Sequence, residues 1–290
     1  MDQIWIDLGL SVGMFMLMLG MGLTLVADDF RRIATDPRAT IVGTVLQLLI
    51  MPLVGLALAN IFDLTPILAA GLVVVAACPG GMFSNMYVHF AKGNTALSIT
   101  LTATATVVTL FTLPLWVQFA LTLFEAHDGG AVEMPVLETA LRLSALTILP
   151  VAIGMFLRAR NPAALRWERR ATIPGAIIIV LGAALGTSSN PDLDKIIESI
   201  APAAAFAISA MTVGTIVPLL FRIPARDAVT IAVEMIVKNT LLGIVLVAQV
   251  LDFEAVLPIL AFAAFQTPGG VILLISWRWF ERRRGGVLAD

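Results

Sequence analysis

The fold is decided by Glu234-Met235-Ile236-Val237-Lys238-Asn239-Thr240, which places a carboxylate and an ammonium in an otherwise apolar stretch. An ionisable side chain at the centre of a membrane helix costs about 2.5 to 3.5 kcal/mol on insertion scales, so such residues usually serve a function. On a continuous helix, positions 234 and 238 share one face, with their Cβ atoms about 5–6 Å apart. The sequence therefore predicts a small, dry, charged site inside a membrane.

The composition around this stretch indicates a polytopic helical membrane protein. Of the 290 residues, 59% are hydrophobic and 13% are charged, which is far from the composition of a soluble domain. This length suffices for about nine or ten spans of roughly 20 residues, so we expect a single membrane domain. The net charge of -2 leaves no basic surface for nucleic acid, and the single cysteine, Cys78, excludes an intrachain disulfide.

Nine apolar stretches of span length follow one another along the chain. They cover about residues 5–27, 39–61, 64–91, 94–123, 135–157, 171–188, 196–220, 227–250 and 254–279. The first has no basic region before it and is too long for a signal peptide, so we expect it to stay as a span. Fifteen of the 18 Lys and Arg residues fall on one side of this arrangement. The positive-inside rule then predicts an outer amino terminus and an inner carboxyl terminus.

Two of the nine spans are interrupted. The third breaks at Cys78-Pro79-Gly80-Gly81, because proline lacks an amide donor and glycine tolerates most backbone angles. The eighth contains the Glu234 and Lys238 charges. Superimposing Asn85 on Asn239 places span three on span eight, an offset of five spans. Successive spans cross the membrane in opposite directions, so an odd offset means that the two copies are inverted. Paired broken spans in inverted halves indicate the midplane site of a secondary transporter.

The interrupted spans also carry a family resemblance. Cys78-Pro79-Gly80-Gly81-Met82-Phe83-Ser84-Asn85, followed by Ala91-Lys92-Gly93-Asn94-Thr95-Ala96-Leu97-Ser98, resembles the bile acid:sodium symporter family. The segment from Glu234 to Asn239 is similar to that family's second crossover motif, Glu-x-Gly-x-Gln-Asn. The resemblance covers most of the chain and is to members with nine spans. It implies an all-α fold with two crossing discontinuous helices and alternating access between a panel domain (about 5–38 and 135–188) and a core domain (about 39–124 and 196–280).

The same resemblance implies the site residues. The first sodium site would use oxygen donors, which a hard cation prefers, from Ser84, Asn85, Ser98, Thr102 and Glu234. The second would use Gln47 and Glu234, carbonyl oxygens near Met235 and Val237, and a glutamine at the position of Lys238. The substrate would lie at the crossing, against Pro79, Gly80, Asn85 and Asn239.

Lys238 is the important departure from the family pattern. An ammonium has three donors and no lone pair, so it cannot bind sodium and would repel it. We interpret Lys238 as a tethered cation that fills the second site and contacts Glu234 and Gln47. One sodium ion moving with one monovalent anion would then be electroneutral. A second departure is Ile236, which stands where the family has glycine and disfavours unwinding of span eight.

The leading hypothesis is a monomeric secondary transporter of an organic anion, bile-acid-like or a small carboxylate, in the inner membrane of a bacterium and without an organic cofactor. Proton coupling through Lys238 and a non-transporting sensor of the same fold stay open. An intramembrane enzyme is disfavoured because no histidine lies near Glu234 in the chain. Two structural alternatives also stay open. Glu234 and Lys238 could be an ion pair that locks span eight, and Ser98 and Thr102 could bond to carbonyl oxygens within their own helix.

Overall fold

The computed structural model describes residues 3–31, 37–128, 136–187, 193–251 and 253–283, and within these ranges every regular element is a helix. The α-helices are α1 Gln3–Thr24, α2 Ala27–Arg31, α3 Pro37–Val45, α4 Met51–Ile61, α5 Pro66–Ala77, α6 Met82–Phe90, α7 Thr95–Asp128, α8 Val136–Arg160, α9 Glu168–Thr187, α10 Leu193–Leu220, α11 Ala225–Ile236, α12 Thr240–Val250 and α13 Val256–Arg283. A π-helical turn, Leu46–Ile50, joins α3 to α4, and 3-10 turns precede α9 (Pro162–Trp167) and α13 (Phe253–Ala255).

Several of these helices can cross a bilayer. Among the described residues, five helical segments are long and apolar enough: Trp5–Thr24, Pro37–Ile61, Pro162–Gly186, Leu193–Leu220 and Phe253–Arg283. A sixth span results if Thr95–Thr109 and Phe111–Phe124, which meet at 59°, act together. The helices agree with a multi-pass membrane protein, whereas the count of nine spans and their orientation stay predictions. Residues 32–36, 135, 188 and 252 of the predicted spans and domains lie outside the described ranges.

Both interruptions of the spans are present. The first separates α5 from α6 at residues 78–81, where Pro79 and the two glycines follow the last turn of α5. The second separates α11 from α12 at residues 237–239, although Ile236 stands where glycine was expected. Ile236 does not prevent this break because it is still helical; the backbone leaves the helix only at Val237, with φ -95° and ψ 80°. The inverted relation of the two broken segments stays a prediction.

The helices pack in two groups. α1 packs mainly against α8 and α9, whereas α10 packs against α11 and α13, and α5 packs against α4 and α7. Glycines allow close approach in the first group, as in other membrane helix pairs. A Cβ on Gly22 would lie 2.3 Å from the Val151 carbonyl oxygen, and one on Gly154 would lie 2.5 Å from that of Leu19. The second group surrounds α5, which is buried from Leu68 to Ala77, and it contains both helix breaks.

Candidate cation site at the helix crossing

The two broken helices cross at their breaks and bond to each other there. Gly80 and Lys238 form an antiparallel bridge. The Gly81 amide donates to the Val237 carbonyl at 2.7 Å, and the Asn239 amide donates to the Pro79 carbonyl at 2.9 Å. Irregular backbone is tolerated at membrane depth only where its polar groups find partners in the protein or in a water-filled cavity. Each break therefore donates one backbone hydrogen bond to the other.

A cluster of oxygen atoms surrounds the Glu234 carboxylate, which lies in the last turn of α11 and is 1% exposed. Its Oε1 accepts hydrogen bonds from Ser84 Oγ at 2.7 Å and from Ser98 Oγ, and its Oε2 accepts one from Thr102 Oγ1 at 2.8 Å. Ser98 Oγ also lies 2.7 Å from Asn85 Oδ1. The structure thus brings together all five residues that the resemblance implied for the first sodium site, from α6, α7 and α11.

Both serines of this cluster face two acceptors. Ser98 Oγ faces both Asn85 Oδ1 and Glu234 Oε1, and Ser84 Oγ faces both Glu234 Oε1 and the Gly81 carbonyl at 2.7 Å. A hydroxyl carries one proton, so each serine can donate to only one of its two acceptors at a time, and the Gly81 carbonyl also accepts the Ser84 amide at 2.9 Å. An oxygen-rich set of ligands around a carboxylate is suited to a hard cation.

Ser98 and Thr102 do not bond to carbonyl oxygens of their own helix, which was the structural alternative for these two hydroxyls. Both hydroxyls reach Glu234 on α11. Their neighbours show the other behaviour, because Thr100 donates to the Ala96 carbonyl and Thr106 to the Thr102 carbonyl, each one turn earlier. Membrane helices commonly bond their hydroxyls in this way. Ser98 and Thr102 are therefore turned to the crossing.

Lys238 lies at the crossing and is 2% exposed. Its ammonium donates to the carbonyl oxygens of Ala76 at 3.1 Å and Cys78 at 2.9 Å, at the carboxyl end of α5. A cation there is favoured by the helix dipole. The expected contacts of this ammonium with Glu234 and Gln47 are not formed: the ion pairs of the described residues do not join Lys238 to Glu234, and the Gln47 side chain has no hydrogen-bond partner. The break explains this, because residues four apart share a face only on a continuous helix.

Gln47 faces the same crossing from the π-helical turn. It is buried, and neither its amide nitrogen nor its carbonyl oxygen has a hydrogen-bond partner. A Cβ on Gly80 would lie 3.4 Å from Gln47 Nε2 and 2.0 Å from Glu234 Oε2, so these two side chains converge above Gly80. A buried amide without partners is costly, roughly 1–3 kcal/mol, and marks a place that water or an ion can fill. Helical π turns often occur at functional sites.

The four residues predicted to bind substrate all lie at or next to the helix crossing. Pro79 and Gly80 form the first break, and Asn85 turns its oxygen to Ser98. Asn239 begins α12, where its Oδ1 accepts the Leu242 amide at 3.2 Å. Its Nδ2 lies 3.5 Å from Met21 Sδ on α1, so Asn239 sits between the two groups of helices.

Sequence reasoning missed Gln266 on α13. Its Oε1 accepts the Lys238 backbone amide at 3.1 Å and its Nε2 donates to Thr240 Oγ1 at 3.4 Å, so it spans the second break. It also lines a cavity of about 280 Å³ with Phe83, Met86, Tyr87, Val237 and Thr267. The available signal was a lone amide followed by Thr267-Pro268-Gly269-Gly270 inside an apolar span.

Gly80→Ala is expected to displace the Glu234 carboxylate, because the added methyl would lie 2.0 Å from Oε2. Moving the carboxylate breaks its hydrogen bonds to the three hydroxyls, and we expect a loss of about 2–3 kcal/mol in the free energy of unfolding. Thermal unfolding of detergent-purified protein measures the effect. The matched control is Gly9→Ala, whose methyl would meet Ile178 at an ordinary 3.8 Å. Equal stability of the two variants would contradict the arrangement of Glu234 above Gly80.

Known transporters are similar to this chain in sequence. The profile of the Sodium Bile acid symporter family matches residues 11–191. The chain is 31% identical over 241 residues to the probable sodium/metabolite cotransporter BASS1, chloroplastic, of Arabidopsis thaliana, covering 82% of this chain and 58% of that protein. It is 32% identical over 190 residues to the uncharacterized sodium-dependent transporter YocS of Bacillus subtilis, covering 64% and 57%. It is 30% identical over 184 residues to the human ileal sodium/bile acid cotransporter, covering 61% and 50%. These relatives are transporters rather than enzymes, and the chain spans about half to three fifths of their length.

Proposed function

This chain belongs to the Sodium Bile acid symporter family, and on that premise we propose that it is a secondary transporter coupling sodium to an organic anion. The observation that carries the proposal is the cluster of side-chain oxygen atoms around the buried carboxylate of Glu234. Sodium at this cluster would be a transported ion, held by Ser84, Asn85, Ser98, Thr102 and Glu234. Its positive charge would balance the negative charge of the Glu234 carboxylate.

Lys238 takes the place of a second sodium ion in this proposal. Its ammonium is buried at the crossing and bonded to the Ala76 and Cys78 carbonyls, so it brings a positive charge that moves with the protein. Gln47, which the resemblance implied for the second site, has no partner of its own. One sodium ion then accompanies one monovalent anion, and transport carries no net charge. A lysine is a donor and not a ligand, so the second ion site is closed to sodium.

The packing supports movement of two bodies. The helices of the proposed panel domain meet the proposed core domain along α12, which packs against α1 and α9, and along α7, which packs against α2 and α8. Gln249 Nε2 on α12 donates to Ser11 Oγ on α1 at 2.8 Å, and the Phe253 ring fills the space beside Gly186 of α9. On α6, in contrast, Phe83 and Met86 are exposed.

The substrate class follows from the family and the site together. The relatives named above are cotransporters of metabolites and bile acid and a sodium-dependent transporter. We propose an organic anion, either bile-acid-like or a small carboxylate, that binds where Asn239, Asn85, Pro79 and Gly80 meet. The protein is a multi-pass membrane protein, and we propose that it acts as a monomer in a bacterial inner membrane.

Uptake into proteoliposomes tests the coupling. An inward tenfold sodium gradient is expected to drive accumulation of a labelled organic acid up to about tenfold, because an electroneutral one-to-one symporter converts one gradient into the other. Steroid-like acids, pantothenate and 2-oxo acids are the first substrates to test. A potassium gradient of equal size and protein-free liposomes are the controls. Accumulation driven by a pH gradient alone would favour proton coupling, and no accumulation under either gradient would favour a sensor.

A further inference from the structure

Hydrogen bonds of a partly buried polar cluster, outside the proposed ion site, join the turn that precedes α7 to the start of α11. Asn94 Nδ2 donates to Asp227 Oδ1 at 2.8 Å, and the Asn94 amide donates to Thr230 Oγ1 at 2.9 Å. Arg226 adds a bond to the Gly93 carbonyl at 3.1 Å. Asp227 is 8% exposed and Thr230 is fully buried. These bonds join segments more than 130 positions apart in the chain.

The cluster lies one turn before the oxygen atoms of the site on both helices. Ser98 follows Asn94 by four residues on α7, and Glu234 follows Thr230 by four residues on α11, so each pair shares a helix face. Four residues correspond to about 6 Å along a helix. The same two helices are therefore joined at successive turns. Asn94 bonds to α11 first, and Ser98 and Thr102 bond to Glu234 one and two turns later.

Asn94 is suited to this position because it serves both helices. Its Oδ1 caps α7 by accepting the Leu97 amide at 3.1 Å, which leaves Nδ2 for Asp227. The residue before Asn94 must be small, since a Cβ on Gly93 would lie 2.9 Å from Thr230 Oγ1. A shift of Asn94 along α11 would carry the start of α7 with it, and with it the hydroxyls of Ser98 and Thr102.

We infer that Asn94 and Asp227 are a positioning pair that sets the register of α7 against α11 and thereby the sodium affinity of the Glu234 cluster. The inference rests on the proposed sodium coupling. Neither residue belongs to the five proposed ligands of the ion. Ion sites require their ligands to be held within about 0.5 Å of the binding geometry, which in this cluster depends on two helices that do not adjoin in sequence.

Exchanging the two side chains tests the pair. Asn94→Asp keeps the cap on α7 but sets two carboxylates against each other, and we expect the sodium concentration for half-maximal thermal stabilisation to rise about tenfold. Asp227→Asn keeps a possible amide bond but loses its charge, and we expect a rise of about threefold. The double variant Asn94→Asp with Asp227→Asn rebuilds an amide and carboxylate pair in reverse order. It is expected to return to within about twofold of the wild type.

The readout separates positioning from stability. For each variant, stabilisation by sodium is measured relative to its own melting temperature without sodium. If the pair only stabilises the fold, its loss changes that temperature but leaves the sodium concentration for half-maximal stabilisation unaltered. Thr100→Val is the matched control, because it removes a buried α7 hydroxyl that bonds the Ala96 carbonyl. If Asn94→Asp does not fold, the comparison of Asp227→Asn with the double variant replaces it.

Three outcomes overturn the inference. If Asn94→Asp keeps the sodium dependence of the wild type, this inference is overturned and the proposed function stands. The same holds if the double variant needs as much sodium for half-maximal stabilisation as Asp227→Asn does. A wild-type protein that sodium does not stabilise at all would overturn the proposed function, and this inference with it. A rise in the single variants followed by recovery in the double variant supports it.

Discussion

Glu234→Gln is expected to abolish sodium-driven uptake and to weaken sodium binding at least about 100-fold. The carboxylate is the acceptor for Ser84, Ser98 and Thr102 at once, and it is the negative charge of the proposed site. A glutamine presents an amide nitrogen to at least one of these hydroxyls and offers sodium no charge. Sodium-dependent thermal stabilisation and proteoliposome uptake both measure the loss.

The matched control for this substitution is Glu254→Gln. Glu254 pairs with Lys195 at a partly exposed position near the start of α13, where a surface ion pair contributes only about 0 to 1 kcal/mol. The chemical change is the same and the site is different, so uptake is expected to stay near the wild-type level. Wild-type sodium dependence in Glu234→Gln would contradict a sodium site at the crossing.

Lys238→Gln is expected to convert electroneutral transport into electrogenic transport. Removing the fixed ammonium and supplying a neutral amide would open a second sodium position beside Gln47, whose own amide has no partner. Two sodium ions with one monovalent anion carry one net charge. A membrane potential of about 100 mV would then add about 2.3 kcal/mol, or roughly 50-fold in the limiting accumulation. Uptake at imposed potentials, with counted sodium per substrate, measures the change.

Two controls isolate the role of the charge at Lys238. Lys238→Met removes the ammonium without providing a ligand, so it should bind no second sodium ion. Lys195→Gln removes a basic residue away from the crossing and should leave the stoichiometry unchanged. If Lys238→Gln binds no more sodium than the wild type and ignores the membrane potential, the tethered-cation interpretation is wrong.

Local chemistry made the two breaks and the family predictable from the chain alone. Pro79 and Gly80 cannot continue a helix comfortably, and the second break followed from the family resemblance. The five oxygen donors followed from the resemblance and do lie together. The contact of Lys238 was not predictable, because spacing along a helix could not reveal that α11 ends at Ile236 and turns the ammonium to the α5 carbonyls.

The sequence by itself determined that this is a multi-span membrane protein, where its helices break and which family it resembles, because these properties depend on neighbouring residues and on composition. Only the tertiary structure decided which acceptors share each proton at Glu234, where the amine of Lys238 bonds, that Gln266 spans a break and that Asn94 meets Asp227. Each of these contacts joins side chains of different helices. Their distances depend on how the helices pack in three dimensions, and no local pattern specifies that.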